Sequence, residues 1–166
     1  METSIFGKEF LAELEAEVQA TRKCLERVPE TLYNWKPHEK SMNMGYLVLL
    51  VAQIPKWITH IIEISEIDLA TFSNFQPKTT KELVDHFDEN ITGAKNALKK
   101  VSDQELSTNF SLKGNGQLIF TSPKKENVGS TLNHWVHHRG QLTVYMRLND
   151  IAVPSIYGPS ADDRTF

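Results

Sequence analysis

Apolar residues recur at helical intervals over four long stretches of the chain. In the first, from Ser4 to Val28, Phe6, Phe10 and Leu14 are spaced by four and Leu11, Val18 and Leu25 by seven, so both sets share one face of a helix. Pro29 marks its end, and Glu30 to Met42, which contains Pro37, reads as a connection with one short turn. A second helix starts at Asn43, a good N-cap, and runs to about Ser65, with Leu47, Leu50, Val51, Ile54, Ile58, Ile61 and Ile62 on a broad apolar face. Pro55 lies inside it and predicts a kink, because proline has no amide to donate and crowds the preceding turn. Glu66 to Lys78 reads as a loop closed by Pro77. The third stripe is Leu83, Phe87, Ile91, Ala94, Leu98 and Val101, with Thr79 or Thr80 as cap and Glu82 in the capping-box position relative to Thr79.

Between Ser102 and Glu126 the period changes. Leu106, Thr108, Phe110 and Leu112 alternate with polar residues, Lys113-Gly114-Asn115-Gly116 reads as a turn, and Leu118 to Thr121 are strand formers, which predicts a small β-hairpin. The fourth helix follows from about Lys125 to Asn149, with Val128, Leu132, Trp135, Leu142 and Tyr145 on its inner side. The tail from Ile151 to Phe166 holds Pro154 and Pro159 and reads as an arm without regular structure. The expectation is one all-α domain over 1–166, a four-helix bundle whose long crossover between helices three and four carries the hairpin.

Composition narrows the classes of function. At 166 residues, 40% of them hydrophobic and 23% charged, the chain can bury a core without disulfides or metal. A formal charge of −3 argues against nucleic acid as a partner, because phosphate binding needs a basic face. The longest apolar run, Tyr46 to Ala52, is too short to span a bilayer, and the N-terminus lacks a basic segment followed by an apolar one. The single cysteine, Cys24, allows no internal disulfide and sits at a helical core or boundary position, so a reducing cytoplasm is the expected compartment.

The candidate chemistry lies in helix four, in Asn133-His134-Trp135-Val136-His137-His138-Arg139-Gly140-Gln141-Leu142. Residues four apart share a face, so His134 and His138 can aim two imidazoles at one ion, while His137 is turned away by about 100° per residue. Neutral imidazole suits zinc, nickel, iron or copper. The same spacing also occurs in hydrogen-bonded boundary residues. Trp135 stands where a metalloprotease of the H-E-x-x-H type has its glutamate, so that chemistry is excluded. A catalytic ion normally has three protein ligands, so a third must come from another helix.

With these residues in view, the chain resembles the DinB/YfiT-like family of metalloenzymes. The resemblance covers nearly the whole chain and rests on Lys36-Pro37-His38-Glu39-Lys40-Ser41-Met42, on Ala52-Gln53-Ile54-Pro55-Lys56-Trp57, on His134 to Leu142, and on Pro154-Ser155-Ile156-Tyr157-Gly158-Pro159-Ser160-Ala161-Asp162. It implies an up-down-down-up four-helix bundle, often a homodimer. It also implies a divalent metal on three histidines, one from helix two and two from the H-x-x-x-H of helix four. Some such relatives are transferases or isomerases that use a low-molecular-weight thiol. This chain departs from the pattern at position 50, where reckoning from Ser41-Met42 and from Ile54-Pro55-Lys56-Trp57 puts the helix-two histidine: here it is Leu50. His60 lies about 15 Å further along the axis and cannot simply take over. Tyr46, Gln53, His38 and His86 are the remaining candidates for a third ligand. The expectation is an incomplete site, with His134 and His138 facing the bundle centre across from Leu50 and holding a divalent metal (zinc or nickel) weakly or not at all.

Other residues admit two readings each. Arg139 can orient an anionic substrate or pair with an acidic neighbour on helix one or in the tail. Tyr157, Asp162 and Asp163 can bond the histidines from the tail or belong to a solvated arm. Trp35 and Trp57 read as core or interface anchors, and Lys124 and Lys125 as surface. Two functions follow: a metal-dependent transferase or hydrolase, or a non-catalytic bundle that binds a small ligand or dimerises.

Overall fold

The computed structural model describes residues 4–71, 76 and 78–165. Pro77, expected to close the loop before the third helix, lies outside these residues, as does Phe166 at the end of the tail. Four long helices carry the fold: α1 Ile5–Arg27, α2 Met44–Glu63, α3 Thr80–Lys100 and α5 Lys124–Leu148. A single turn, α4 Asp103–Leu106, follows α3. Side-chain caps start three of the long helices, those of α2 and α3 among the capping residues expected from the sequence. Ser4 Oγ accepts from Gly7 N at 2.7 Å, Asn43 Oδ1 from Tyr46 N at 2.8 Å and Thr79 Oγ1 from Glu82 N at 3.1 Å. The choice between Thr79 and Thr80 falls to Thr79, while Thr80 Oγ1 donates to Val28 O at 2.7 Å and ties the end of α1 to the start of α3.

The expected hairpin is present as β2 Asn109–Gly114 and β3 Gln117–Pro123, turning at Asn115 and Gly116 with φ of 51° and 77°. Two details differ from expectation. Leu106 belongs to the α4 turn rather than to the alternating run. Part of the expected Glu66–Lys78 loop is a strand, β1 Glu66–Asp68, which pairs in parallel with β2 and makes the sheet three-stranded, in the order β1-β2-β3. A three-residue strand carries too little pattern to stand out in sequence. Asp68 holds the pairing by accepting from Asn115 N at 3.0 Å and Gly116 N at 2.6 Å.

The four helices close around one core. α2 packs on α3 and α5, and α1 covers the same two from the other side. α2 is long and apolar enough to pass as a membrane span by composition, but Leu47, Val48, Val51, Ala52, Ile54 and Ile58 are core residues here. α2 runs unbroken through Pro55. Proline leaves the carbonyl four residues back without its helical donor, and Trp135 Nε1 of α5 donates to that carbonyl, Val51 O, at 2.9 Å. Asn90 Nδ2 of α3 donates to the next one, Ala52 O, at 3.0 Å. The carbonyl freed by the proline thus joins α2 to α5, and the Asn90 bond joins α2 to α3. At the end of α2, Lys124 Nζ donates to Ile62 O at 2.7 Å. Lys124 is 3% exposed, so its expected surface placement is corrected: the carbonyls left over at the end of α2 bind its ammonium inside the fold.

Candidate functional site

The inner stripe of α5 is Val128, Leu132, Trp135, Arg139, Leu142 and Met146, all buried and spaced by three or four. Trp135 fills the centre, its ring against Phe87 with centroids 6.1 Å apart. His134 and His138 stand beside this stripe, on the flank that also carries Tyr145, whose hydroxyl donates to Met42 O just ahead of α2 at 3.1 Å. His134 is exposed and His138 half-buried. The expectation that both rings face the bundle centre is corrected: an indole held by the Val51 carbonyl occupies that place, and the imidazoles lie at the rim.

The pair itself is close. His134 Nε2 and His138 Nε2 are 2.8 Å apart, and the ring centroids 4.6 Å. His138 Nδ1 lies 2.7 Å from Gln141 Oε1. An amide oxygen only accepts, so Nδ1 carries the proton and His138 Nε2 turns its lone pair toward His134. Burial, then the neighbouring His138 and His137, holds His134 below the ordinary histidine value of 6.5, which keeps the ring neutral at pH 7.

The other candidate ligands lie elsewhere. His38 Nδ1 accepts from Lys40 N at 3.1 Å and closes a turn in the exposed connection before α2. His60 and His86 are both held below 6.5 by burial and then by the charge of Lys56, so the two gather around that lysine. Leu50 is half-buried and lines a cleft of about 320 Å³ with Tyr33, Asn34, Tyr46 and Gln53, which neither His134 nor His138 lines. Among the described residues, no group of three or more His, Cys, Asp or Glu side chains is placed to hold one ion.

Arg139 takes the ion-pair reading. It is 2% exposed, pairs with the Glu17 carboxylate of α1, and donates to Tyr157 Oη at 2.8 Å. Tyr157 Oη donates in turn to Glu17 Oε1 at 3.0 Å. The tail residues are therefore engaged away from the histidines. Asp162 binds Arg147 and the Val153 amide, at 2.5 and 2.9 Å, and Asp163 Oδ2 accepts from Ser155 N at 3.2 Å. The reading in which the tail bonds the imidazoles is corrected, because these carboxylates satisfy cations and amides of the tail and its neighbour helix end. Cys24 is fully buried, and burial pushes its thiol up to about 11, which makes it a core residue rather than a nucleophile. Sequence reasoning missed Glu17, which looks like an ordinary surface glutamate, and Gln141, whose position three residues after His138 was the available signal.

Fold and site together define a class: a helical bundle with a small sheet and a paired-imidazole face on its last long helix. The DinB family model matches residues 1–165, and the chain belongs to the DinB family. Solved structures agree on the fold. A DinB-like protein from Bacillus cereus ATCC 10987 superposes with a TM-score of 0.70 at 22% identity, over 95% of this chain and 100% of that one. A DinB-like protein from Bacillus subtilis gives 0.70 at 15% identity, over 95% and 99%. No curated protein matches the chain.

Proposed function

We propose that this DinB-family bundle is a metal-dependent transferase or hydrolase whose site is reduced to the two nitrogens of His134 and His138. The convergence of the two Nε2 atoms, 2.8 Å apart, carries the reading. Two nitrogens about 2.0–2.1 Å from one ion stand about 2.9 Å apart at the right angle of a square-planar nickel site and about 3.3 Å apart on a tetrahedral zinc, so the pair is close to the spacing of two neighbouring ligands and opens by about 0.5 Å to take zinc. Gln141 gives His138 the support that metal-binding histidines ordinarily have: with Nδ1–H held, Nε2 is fixed as the binding atom. Bound there, a divalent ion would supply Lewis acidity, which acidifies water or a small thiol. With Leu50 at the position of the third histidine, affinity is expected to be weak.

Metal analysis and titration of untagged protein test this. One zinc or nickel per chain is expected, lost in His134→Ala and in His138→Ala. Leu50→His is expected to raise affinity at least ~10-fold, the scale on which a supporting partner alone matters. Equal binding by wild type and the double alanine variant would overturn the metal reading, and a flat response to Leu50→His would overturn the vacancy at position 50.

A second reading is favoured by the cleft at Leu50. Its volume suits a small molecule, and Asn34, Tyr46 and Gln53 line it with uncharged hydrogen-bonding groups. In this reading the bundle binds a neutral polar ligand without metal chemistry.

A further inference from the structure

Among the described residues, none that lines the cleft at Leu50 is charged. Asn34, Asn43, Gln53 and Gln76 bring carboxamides to it, and Tyr33 and Tyr46 bring phenols. Its wall is built in place. Gly45 N donates to Tyr33 O at 2.9 Å and Met44 N to Trp35 O at 2.8 Å, which fastens the connection to the start of α2. A Cβ on Gly45 would stand 2.9 Å from Tyr33 Cβ and 3.1 Å from Tyr33 O, so only glycine admits this approach. Burial holds the Tyr33 phenol above its ordinary value of 10, which keeps it uncharged. Asn43 Oδ1 is taken by Tyr46 N at 2.8 Å, which leaves the Asn43 amide nitrogen to donate. Gln53 differs from Asn43. It is half-buried, one turn beyond Leu50, and among the described residues its carboxamide bonds to no other group, so its donor and its acceptor are both available.

Resting on the reading of this cleft as a small-molecule site, we propose that it binds an uncharged planar heterocycle with a lactam edge, the chemistry of a free nucleobase, and that Gln53 selects that edge. No charged group lines the cleft to meet a carboxylate, phosphate or ammonium, and a charge brought there loses hydration uncompensated. A carboxamide sets an N–H donor beside a carbonyl acceptor. The N–H and C=O of a lactam meet both at once, as the donor–acceptor edge of adenine meets Asn or Gln. The flat faces of such a ring suit the phenol rings and the apolar surface of Leu49 and Leu50, which the hydroxyl-covered faces of a sugar do not. The volume of about 320 Å³ takes one base, with the opening toward solvent at Tyr46, which is 53% exposed.

Amide spectra of the isotope-labelled full chain, recorded with EDTA present so that metal contributes nothing, test this with uracil and hypoxanthine as probes. At least one of the two is expected to shift amides of the connection and the first turns of α2, saturating with a Kd on the order of 0.1–1 mM for so small a ligand. The N-methylated counterpart keeps the ring and loses the lactam N–H, and is expected to bind about 10-fold more weakly. Gln53→Leu is expected to weaken the base by about the same factor and to leave its methylated counterpart unchanged, which a general loss of cleft structure would not do. Equal binding of the base and its methylated form, a base that Gln53→Leu leaves unaffected, or glucose saturating the same amides in place of both bases would overturn the lactam ligand while leaving the cleft a small-molecule site. No shift there with any of these probes would overturn the lactam ligand and the small-molecule reading together.

Discussion

Gln141 shows how one uncharged side chain sets the chemistry of the histidine pair. Its Oε1 holds the proton on His138 Nδ1 at 2.7 Å and thereby directs the lone pair of Nε2 toward His134. Gln141→Leu removes that hold without touching either imidazole. Zinc affinity is expected to fall ~10- to 100-fold, the usual loss for a supporting partner, while the thermal midpoint stays put. Calorimetric titration of the variant checks this; unchanged affinity would mean that the ring orientation has another source. The two imidazoles were legible in the chain from their spacing alone. Their exposure was not, because a period of four places residues on a common flank without saying whether that flank meets the core or its rim. Trp135, one position from His134, decided the matter by taking the centre.

At the scale of the elements, α2 and α5 are joined by a consequence of Pro55. The proline removes the amide that Val51 O would accept from, and the Trp135 indole replaces it at 2.9 Å. Trp135→Phe keeps most of the ring and leaves a buried carbonyl without a donor, at an expected cost of about 1–3 kcal/mol. Pro55→Ala restores a backbone amide to the same carbonyl, so the cost of Trp135→Phe is expected to shrink in the Pro55→Ala background. Urea denaturation of the wild type, both single variants and the double gives the coupling. Strict additivity would show that the indole contact and the missing amide are unrelated. The four long helices and the hairpin were visible from their periods, and the caps of α2 and α3 from Asn43 and Thr79. The strand Glu66–Asp68 was not, because its three residues form a strand only through pairing with β2.

At the scale of the whole molecule, the Glu17–Arg139–Tyr157 group fastens α1, α5 and the tail together. Arg139→Met strands a buried carboxylate and is expected to cost about 3–5 kcal/mol; adding Glu17→Leu removes the stranded charge and is expected to recover most of it. Denaturant midpoints of the three variants test this, and a double variant no more stable than the single would show that the tail contact through Tyr157 matters more than the ion pair. Acid should also loosen the fold. His60, His86 and His134 sit below the ordinary 6.5, each first through burial. Below that value the unfolded chain takes up protons more readily than the folded one. Stability is therefore full above about pH 6.5 and declines as pH falls through the lower folded values. Denaturant midpoints at about pH 7.5 and about pH 5.5 should differ in that direction. A flat profile would mean that these rings are as protonatable folded as unfolded.

The order of apolar and polar residues determined by itself the four long helices, the hairpin and the presence of two imidazoles on one face of the last helix, since each of these depends on spacing within a short stretch. Only the tertiary structure decided that Trp135 rather than the histidines occupies the centre, that Lys124 and Glu17 are buried, and that the tail acids serve Arg147 and the backbone. These outcomes depend on which carbonyls and charges residues distant in the chain bring within hydrogen-bond reach, and no local period records that.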